Sequence, residues 1–472
     1  MASNPSNETS ITSPIKYETG DIGFVLVATA QVFLMAPGIG YFYSGMARSK
    51  NALSMILLCL ASTAVVTFQW WLWGYSLTYS TTGGDFIGNL DHMFYRNVFD
   101  GQSDMAKTIP DLVFANYQCM FAALTPALVV GAAAERNRML PTIVFIFIWT
   151  TLVYDVIAHW TWSKRGWAHK IGSIDFAGGT PVHITSGAAA LAYAMTLGKR
   201  NGHGMEEFRP HNISSIALGT VLLWFGWFGF NGGSAFSANL QAANAIVATN
   251  LAGVVGGLSW MLLDYRLERK LSILSFCSGV ISGFVTITPG AGYVSPASAV
   301  LFGLLAGSIC NMSVKLKHFL AIDDALDVFA VHGIGGLLGN VLTGIFAQKS
   351  IAQYAGRMET EFAGGWLDGN WVQVGYQLAG SVAGLVYSFS VTYFILFILN
   401  KIPGLALRVD PESEKRGLDE TEMGEIALFH ATKLVATNPR TGELRVIRET
   451  SLFQSNENDI PMERIERRPF VN

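Results

Sequence analysis

The chain is poor in charge. Asp, Glu, Lys and Arg together make up 14% of its 472 residues, and they nearly cancel to a net charge of −3. So even a balance leaves no basic face for nucleic acid. Cysteine is scarce as well: Cys59, Cys119, Cys277 and Cys310 all fall inside apolar runs. They read as small core hydrophobes, which excludes a disulfide framework or a metal cage. Residues 1–20 are polar and rich in Ser, Thr and Asn, without an apolar stretch. No cleavable signal peptide is expected, so the first membrane helix must direct insertion itself. Also missing are a nucleophile–base pair, a metal-ligand set and a phosphate-cradling loop, so neither an enzyme nor a cofactor or metal is expected.

What remains is apolar. Hydrophobic residues make up 51% of the chain, with 49 glycines. That composition reads as a polytopic membrane protein whose helices approach closely at small residues. Runs long enough to span, about 20 residues each, fall near 22–45, 52–79, 113–134, 141–162, 180–198, 213–235, 243–263, 272–290, 296–314, 328–347 and 373–400. The expectation is an all-α integral membrane protein of eleven transmembrane helices, spanning 21–400. Arg48, Lys50, Arg136, Arg138, Lys199, Arg200 and Arg209 gather on one set of connections, with Lys164, Arg165 and Lys170 a local exception. By the positive-inside rule the amino terminus, 1–20, lies outside and the carboxyl terminus in the cytosol. Asn7 then heads a glycosylation sequon, Asn7-Glu-Thr, on the outer side. Residues 401–472 form a charged cytosolic tail in which Arg448-Glu-Thr-Ser451 fits a basophilic kinase and marks Ser451 for phosphorylation.

Two histidines stand inside this hydrocarbon-suited sequence. His183 sits in Asp175-Phe-Ala-Gly-Gly-Thr-Pro-Val-His183, and His332 in Asp327-Val-Phe-Ala-Val-His332. An imidazole at membrane depth costs several kcal/mol unless something satisfies it. Singly, such a histidine is more often bonded to a carbonyl in the core. Two of them, each following an Asp at a segment mouth, point to one shared site. Helices one to five and six to ten are equal in number, and an odd number per half inverts the second half. This gives a 5+5 inverted repeat plus a last helix, with the site where the halves meet. Side by side, the two rings can hydrogen-bond and pass a proton.

Several motifs carry a family resemblance: Gly40-Tyr-Phe-Tyr-Ser-Gly-Met-Ala-Arg-Ser-Lys-Asn51, the Asp175–His183 segment, Trp227-Phe-Gly-Phe-Asn-Gly-Gly-Ser234, the Asp327–His332 segment and Gly417-Leu-Asp-Glu-Thr-Glu-Met-Gly-Glu425. With these the chain resembles the ammonium transporter (Amt/Mep/Rh) superfamily, most of all the fungal ammonium permeases of the high-affinity type. The resemblance implies a plasma-membrane homotrimer with one pore per subunit, carrying ammonium or ammonia, with methylammonium as analogue. It further implies that His183 and His332 line the pore and that Phe121 and Phe230 form a stacked gate. Trp162, Ser234, Tyr117 and Phe121 then make an external cation site, with Asp175 supporting it. Tyr117 stands where many relatives carry Phe, adding a hydroxyl at the vestibule.

The matching residues suit that chemistry. Rings of Trp162, Tyr117 and Phe121 would attract a small cation at about 1 to 2 kcal/mol per desolvated contact. Attraction to rings does not separate ammonium from potassium; loss of a proton does. The mechanism implied is binding outside, deprotonation at the gate, passage of ammonia and transfer of the proton by way of His183 and His332, with net electrogenic uptake. Without their motifs, the same aromatics read as belt or packing residues, and Asp175 as a helix N-cap. His159 reads as structural, Asn231 and Asn340 as interhelical hydrogen-bonding residues, and Asp155 has no role. The rival reading is a receptor that reports ammonium through its tail, with a cytosolic kinase as partner.

Overall fold

A computed structural model describes residues 17–99, 101–103, 105–206, 208–356, 362–426, 433–437 and 444–448. Its helices are α1 (Thr19–Met46), α2 (Ser49–Tyr79), α3 (Asp111–Ala133), α4 (Met139–Lys170), α5 (Gly179–Ile184 running into Thr185–Leu197), α6 (Ile213–Gly233), α7 (Leu240–Glu268), α8 (Ile273–Ile287), α9 (Pro296–Phe319), α10 (Phe329–Phe346) and α11 (Gln373–Leu399). Among the described residues nine of these are long and apolar enough to cross a membrane. The two that fall short are α5 and α8. Helix α8 has 15 residues, about 22 Å at 1.5 Å per residue, and it gives way to Thr288-Pro289-Gly290. Helix α5, a turn of 6 residues followed by 13 of α-helix, is as long as α10, but Thr180, Pro181, His183, Thr185 and Ser186 dilute its apolar character; Gly178, at φ +118°, turns the chain just before it. Helix α1 breaks at Leu34, three residues before Pro37, whose missing N–H removes a rung from the ladder.

Small residues let the backbones touch. A Cβ built on Gly279 or Gly283 of α8, or on Gly303 or Gly307 of α9, would land on the carbonyl of Gly256 or Ala252 in α7. Contact that close makes dispersion the attraction between helices, because lipid is as apolar as the side chains. This explains the glycine richness better than flexibility does.

The odd-numbered helices end, and the even-numbered ones begin, at one end of the bundle, which carries buried charge. Arg200 donates from its main-chain N and from Nε to Asp323 Oδ2, each at 2.9 Å, and from Nη2 to Oδ1 at 2.9 Å. It also reaches Glu135 at 3.2 Å, while Arg48 holds the same carboxylate through its backbone N–H at 2.6 Å and its Nε at 2.8 Å. Burial alone would raise the Asp323 carboxyl, but its bonds and charge pairing with Arg200 outweigh that and hold it well below the usual range. Burial likewise opposes the ionised form of Glu135, and Arg200 and Arg48 bring it below its ordinary value.

The first compact unit runs on through Glu425, so the segment after 400 belongs to it. Asp419 accepts from the backbone N–H groups of Leu53 (3.0 Å) and Ser54 (2.8 Å) at the start of α2, and Glu422 from that of Met139 (2.9 Å) at the start of α4. Carboxylates at helix N-termini satisfy donors that have no partner inside the helix. Glu414 accepts from Asn201 N at 2.6 Å and pairs with Arg408 at 2.8 Å.

The second unit, Ile426–Asn472, is described at Lys433–Thr437 and Leu444–Arg448, which pair antiparallel with Lys433 opposite Arg448. This two-stranded ribbon departs from the all-α expectation. Its sequence signal is Leu and Val in short runs on either side of Asn438-Pro439 and Gly442. Asn7 and Ser451 lie outside the described residues.

The depressed carboxylates stabilise the fold above their unfolded value, near 4, and lose that contribution as pH falls through the lower folded value. Asp323→Asn leaves Arg200 short of its partner, so a loss of about 3–5 kcal/mol is expected, read as a lower melting temperature at pH 7 in detergent. The same variant should show a smaller difference from wild type below pH 3 than at pH 7.

Candidate functional site

Helices α5 and α10 each open with a wide π turn, Gly179–Ile184 and Phe329–Ile334, and each turn carries a histidine. Such turns re-aim side chains and often sit at functional sites. An aspartate anchors each one. Asp175 Oδ1 accepts from Gly178 N (2.7 Å) and Gly179 N (2.8 Å), and its Oδ2 accepts from Thr180 N at 2.7 Å. Asp175 lies before α5, and burial pushes its carboxyl up to about 6 against the pull of those three N–H groups. In the other half the corresponding anchor is Asp324, whose Oδ2 accepts from Phe329 N at 2.8 Å. Asp327, expected in that place, instead has φ +59° and pairs with Lys317 at 2.6 Å. The missed signal is spacing: Asp175 and Asp324 both stand eight residues before their histidine.

The two turns bring the rings together. His332 Nδ1 and His183 Nδ1 are 3.2 Å apart, and both residues are buried. One nitrogen donates and the other accepts, so each ring satisfies one nitrogen of the other. His183 Nε2 has no partner among the described residues. Close helix approach makes this possible, since a Cβ on Gly187 would strike the backbone of Gly333. A cavity of about 30 Å³ reaches both histidines, walled by Met35, Ile39, Leu124, Leu128, Leu223 and Trp227 among others. It has room for one or two water-sized molecules.

Aromatic rings continue the line. His183 lies parallel to Trp227 at 5.7 Å and to Phe230 at 6.1 Å between centroids. Phe230 packs on Phe121 at 4.2 Å, and Phe121 meets Trp162 edge-on at 6.0 Å. Phe121 and Phe230 are fully buried. Beyond them, at the end of the bundle away from the Asp323 cluster, opens a cavity of about 510 Å³ lined by Trp162, Asp175, Ser234, Phe114, Gln118 and Phe236 among others.

The structure thus puts Trp162, Ser234 and Asp175 on one cavity wall and Phe121 and Phe230 beneath it. Trp162 is fixed by its Nε1 donating to Asp175 O at 3.0 Å. Ser234 gives its proton to Phe230 O at 2.9 Å, which leaves a lone pair for the cavity. Tyr117 differs from expectation. It is fully buried, and its hydroxyl is directed at the carbonyls of Gly229 and Phe230, each 2.8 Å away. The added hydroxyl anchors α3 to α6 and does not face the vestibule.

The polar residues outside this line tie helices together. His159 faces the carbonyls of Thr78 (2.7 Å) and Gly84 (2.8 Å). Asn231 donates to Thr249 at 2.8 Å, and Asn340 to Thr180 and Ser381, each at 2.7 Å. Asp155 accepts from Gln69 Nε2 at 2.7 Å.

The long apolar helices make this a multi-pass membrane protein, with a large cavity above stacked rings and a buried histidine pair. The chain belongs to the Ammonium Transporter Family, whose pattern matches residues 23–428. It is 50% identical over 414 residues to Ammonium transporter 1 of Schizosaccharomyces pombe, covering 88% of this chain and 83% of that one. With Ammonium transporter MEP2 of Saccharomyces cerevisiae it shares 46% identity over 427 residues, covering 89% and 85%. The crystal structure of Saccharomyces cerevisiae Mep2 superposes with a TM-score of 0.79 at 46% identity, covering 85% of this chain and 92% of that one.

Gly187→Val should force α5 from α10 and separate the rings. The expected result is a protein destabilised by about 1–3 kcal/mol, the usual cost of overpacking, with transport lost in whatever fraction still folds. Size-exclusion and thermal-shift profiles give the first part, and uptake normalised to folded protein gives the second.

Proposed function

We propose that this protein is an ammonium transporter that recruits ammonium in the large cavity, takes its proton near the Phe121–Phe230 gate and passes ammonia along the apolar path. The proton travels by the His183–His332 pair, so that uptake is electrogenic. The observation that carries this reading is the 3.2 Å bridge between two buried imidazole nitrogens beside a small, mostly apolar cavity. An ion without its shell is costly there, whereas neutral ammonia is not. Trp162 and Phe121 supply ring faces for the cation, Ser234 an acceptor, Asp175 long-range attraction, and Tyr117 the support that holds Phe230 in place.

Further parts of the reading come from sequence and family. Eleven helices cross the membrane as a 5+5 inverted repeat plus α11, with the amino terminus outside. The supporting observation is the clustering of Arg48, Arg136, Arg138 and Arg200 at the charged end of the bundle. The subunits form a trimer in the plasma membrane, Asn7 is glycosylated, and Ser451 accepts phosphate from a cytosolic kinase.

Currents from purified protein in liposomes on a solid support test the mechanism. Wild type should give a saturable ammonium current. His183→Ala and His332→Ala should each lower it at least tenfold or convert it to a potassium leak. Mutants that conduct like wild type would reduce the histidines to packing, and a wild type that moves no substrate would favour the receptor.

A second expectation concerns pH. The Asp175 carboxylate is neutralised as pH falls through about 6, so its attraction for a cation weakens on the acid side. The half-saturating ammonium concentration should rise between pH 7 and pH 5, and in Asp175→Asn that slope should flatten.

A further inference from the structure

One group on the cavity wall has no place in the transport scheme. Gln118 is only 4% exposed, lines the large cavity one turn from Phe114, and its Oε1 is buried without a partner among the described residues. The Tyr79 hydroxyl, on the same wall and 8% exposed, is likewise buried and unpartnered among them. Phe114 links the two positions, sitting four residues before Gln118 and packing on the Tyr79 ring at 4.9 Å. A buried acceptor left unsatisfied costs about 1–3 kcal/mol, and native structures rarely keep two around one cavity without a use. Neither oxygen is committed to a hydrogen bond with another described residue. What they can do is accept hydrogen bonds from whatever occupies the cavity.

We propose that Gln118, assisted by Tyr79, is a specificity-determining ligand that accepts N–H bonds from ammonium as it sheds water above the ring gate. This rests on the reading of the large cavity as the recruitment site and extends it. Ring faces and one serine lone pair treat any small cation of similar size much alike. Ammonium differs in carrying four donors, and fixed oxygens on separate parts of the wall use that difference. Gln118 reaches the cavity from the same helix face as Phe121, so an ion held there already stands over the gate. The amide is neutral, so it can strip water without binding the cation so firmly that it cannot leave.

Ammonium-dependent currents and melting temperatures of Gln118→Met, Gln118→Glu, Tyr79→Phe and Trp162→Leu test this. Gln118→Met keeps the volume and removes the acceptor. It should raise the half-saturating ammonium concentration about tenfold, the factor that about 1.4 kcal/mol represents. Maximal current should stay within about twofold of wild type, and the melting temperature should not fall. Tyr79→Phe should act in the same direction by a smaller factor. A wild-type half-saturation in Gln118→Met, or a clear drop in its melting temperature, overturns the proposal. If Gln118→Met does not fold, Gln118→Glu decides: half-saturation at or below wild type supports an acceptor role, and a rise refutes it. Trp162→Leu separates the two levels of inference. If it raises half-saturation while Gln118→Met does not, only the role of Gln118 fails; if neither changes anything, recruitment in this cavity fails as a whole.

Discussion

Everything in this molecule answers to the absence of water as a hydrogen-bonding partner inside the bilayer. A donor or acceptor buried there must find its match in the protein or bear the full cost of desolvation. The histidine pair meets that demand at one nitrogen of each ring, which the other ring satisfies. The same demand explains the aspartates at the mouths of α5 and α10. Wide turns expose backbone N–H groups, and a carboxylate is the one side chain that can take several of them at once. Trp162, Tyr117 and Ser234 each direct their proton to a backbone carbonyl, so these three present no free donor to the path.

Close helix packing is the second necessity. With no hydrophobic force between helices in lipid, the chain must bring backbones together, and it does so where glycine leaves room. The contacts of α7 with α8 and α9 and the crossing of Gly187 over Gly333 are one solution used twice. In the first case it builds a rigid wall; in the second it sets the distance between two rings.

Much of this was legible in the sequence. The long apolar runs, the two histidines and the motif context led to the helices and to the central pair, because composition and spacing speak directly for both. Other features were not legible, for physical reasons. The wide turns that open α5 and α10 leave no mark in hydropathy, which does not register a change of spiral. Asp327 looked like the partner of Asp175 because it sits nearest a hydrophobic run, whereas what governs capping is the distance to the turn. That distance picks Asp324. A hydroxyl on Tyr117 gave no hint of its direction, since the carbonyls it meets belong to a helix more than a hundred residues away. Nor did the tail's short alternating runs stand out beside the long apolar ones, although they pair as a ribbon.

The wide turns set limits on the length of chain within them. A π turn holds one residue more than an α-helical path between the same points. Removing a single residue from Gly179–Ile184 or from Phe329–Ile334 would restore the narrower spiral, and a side chain moved one position along it turns by about 100°. The anchoring carboxylate and the imidazole would then face different sides. Loops between the helices absorb insertions readily, but these two short stretches count residues, and in each half the count from aspartate to histidine is the same.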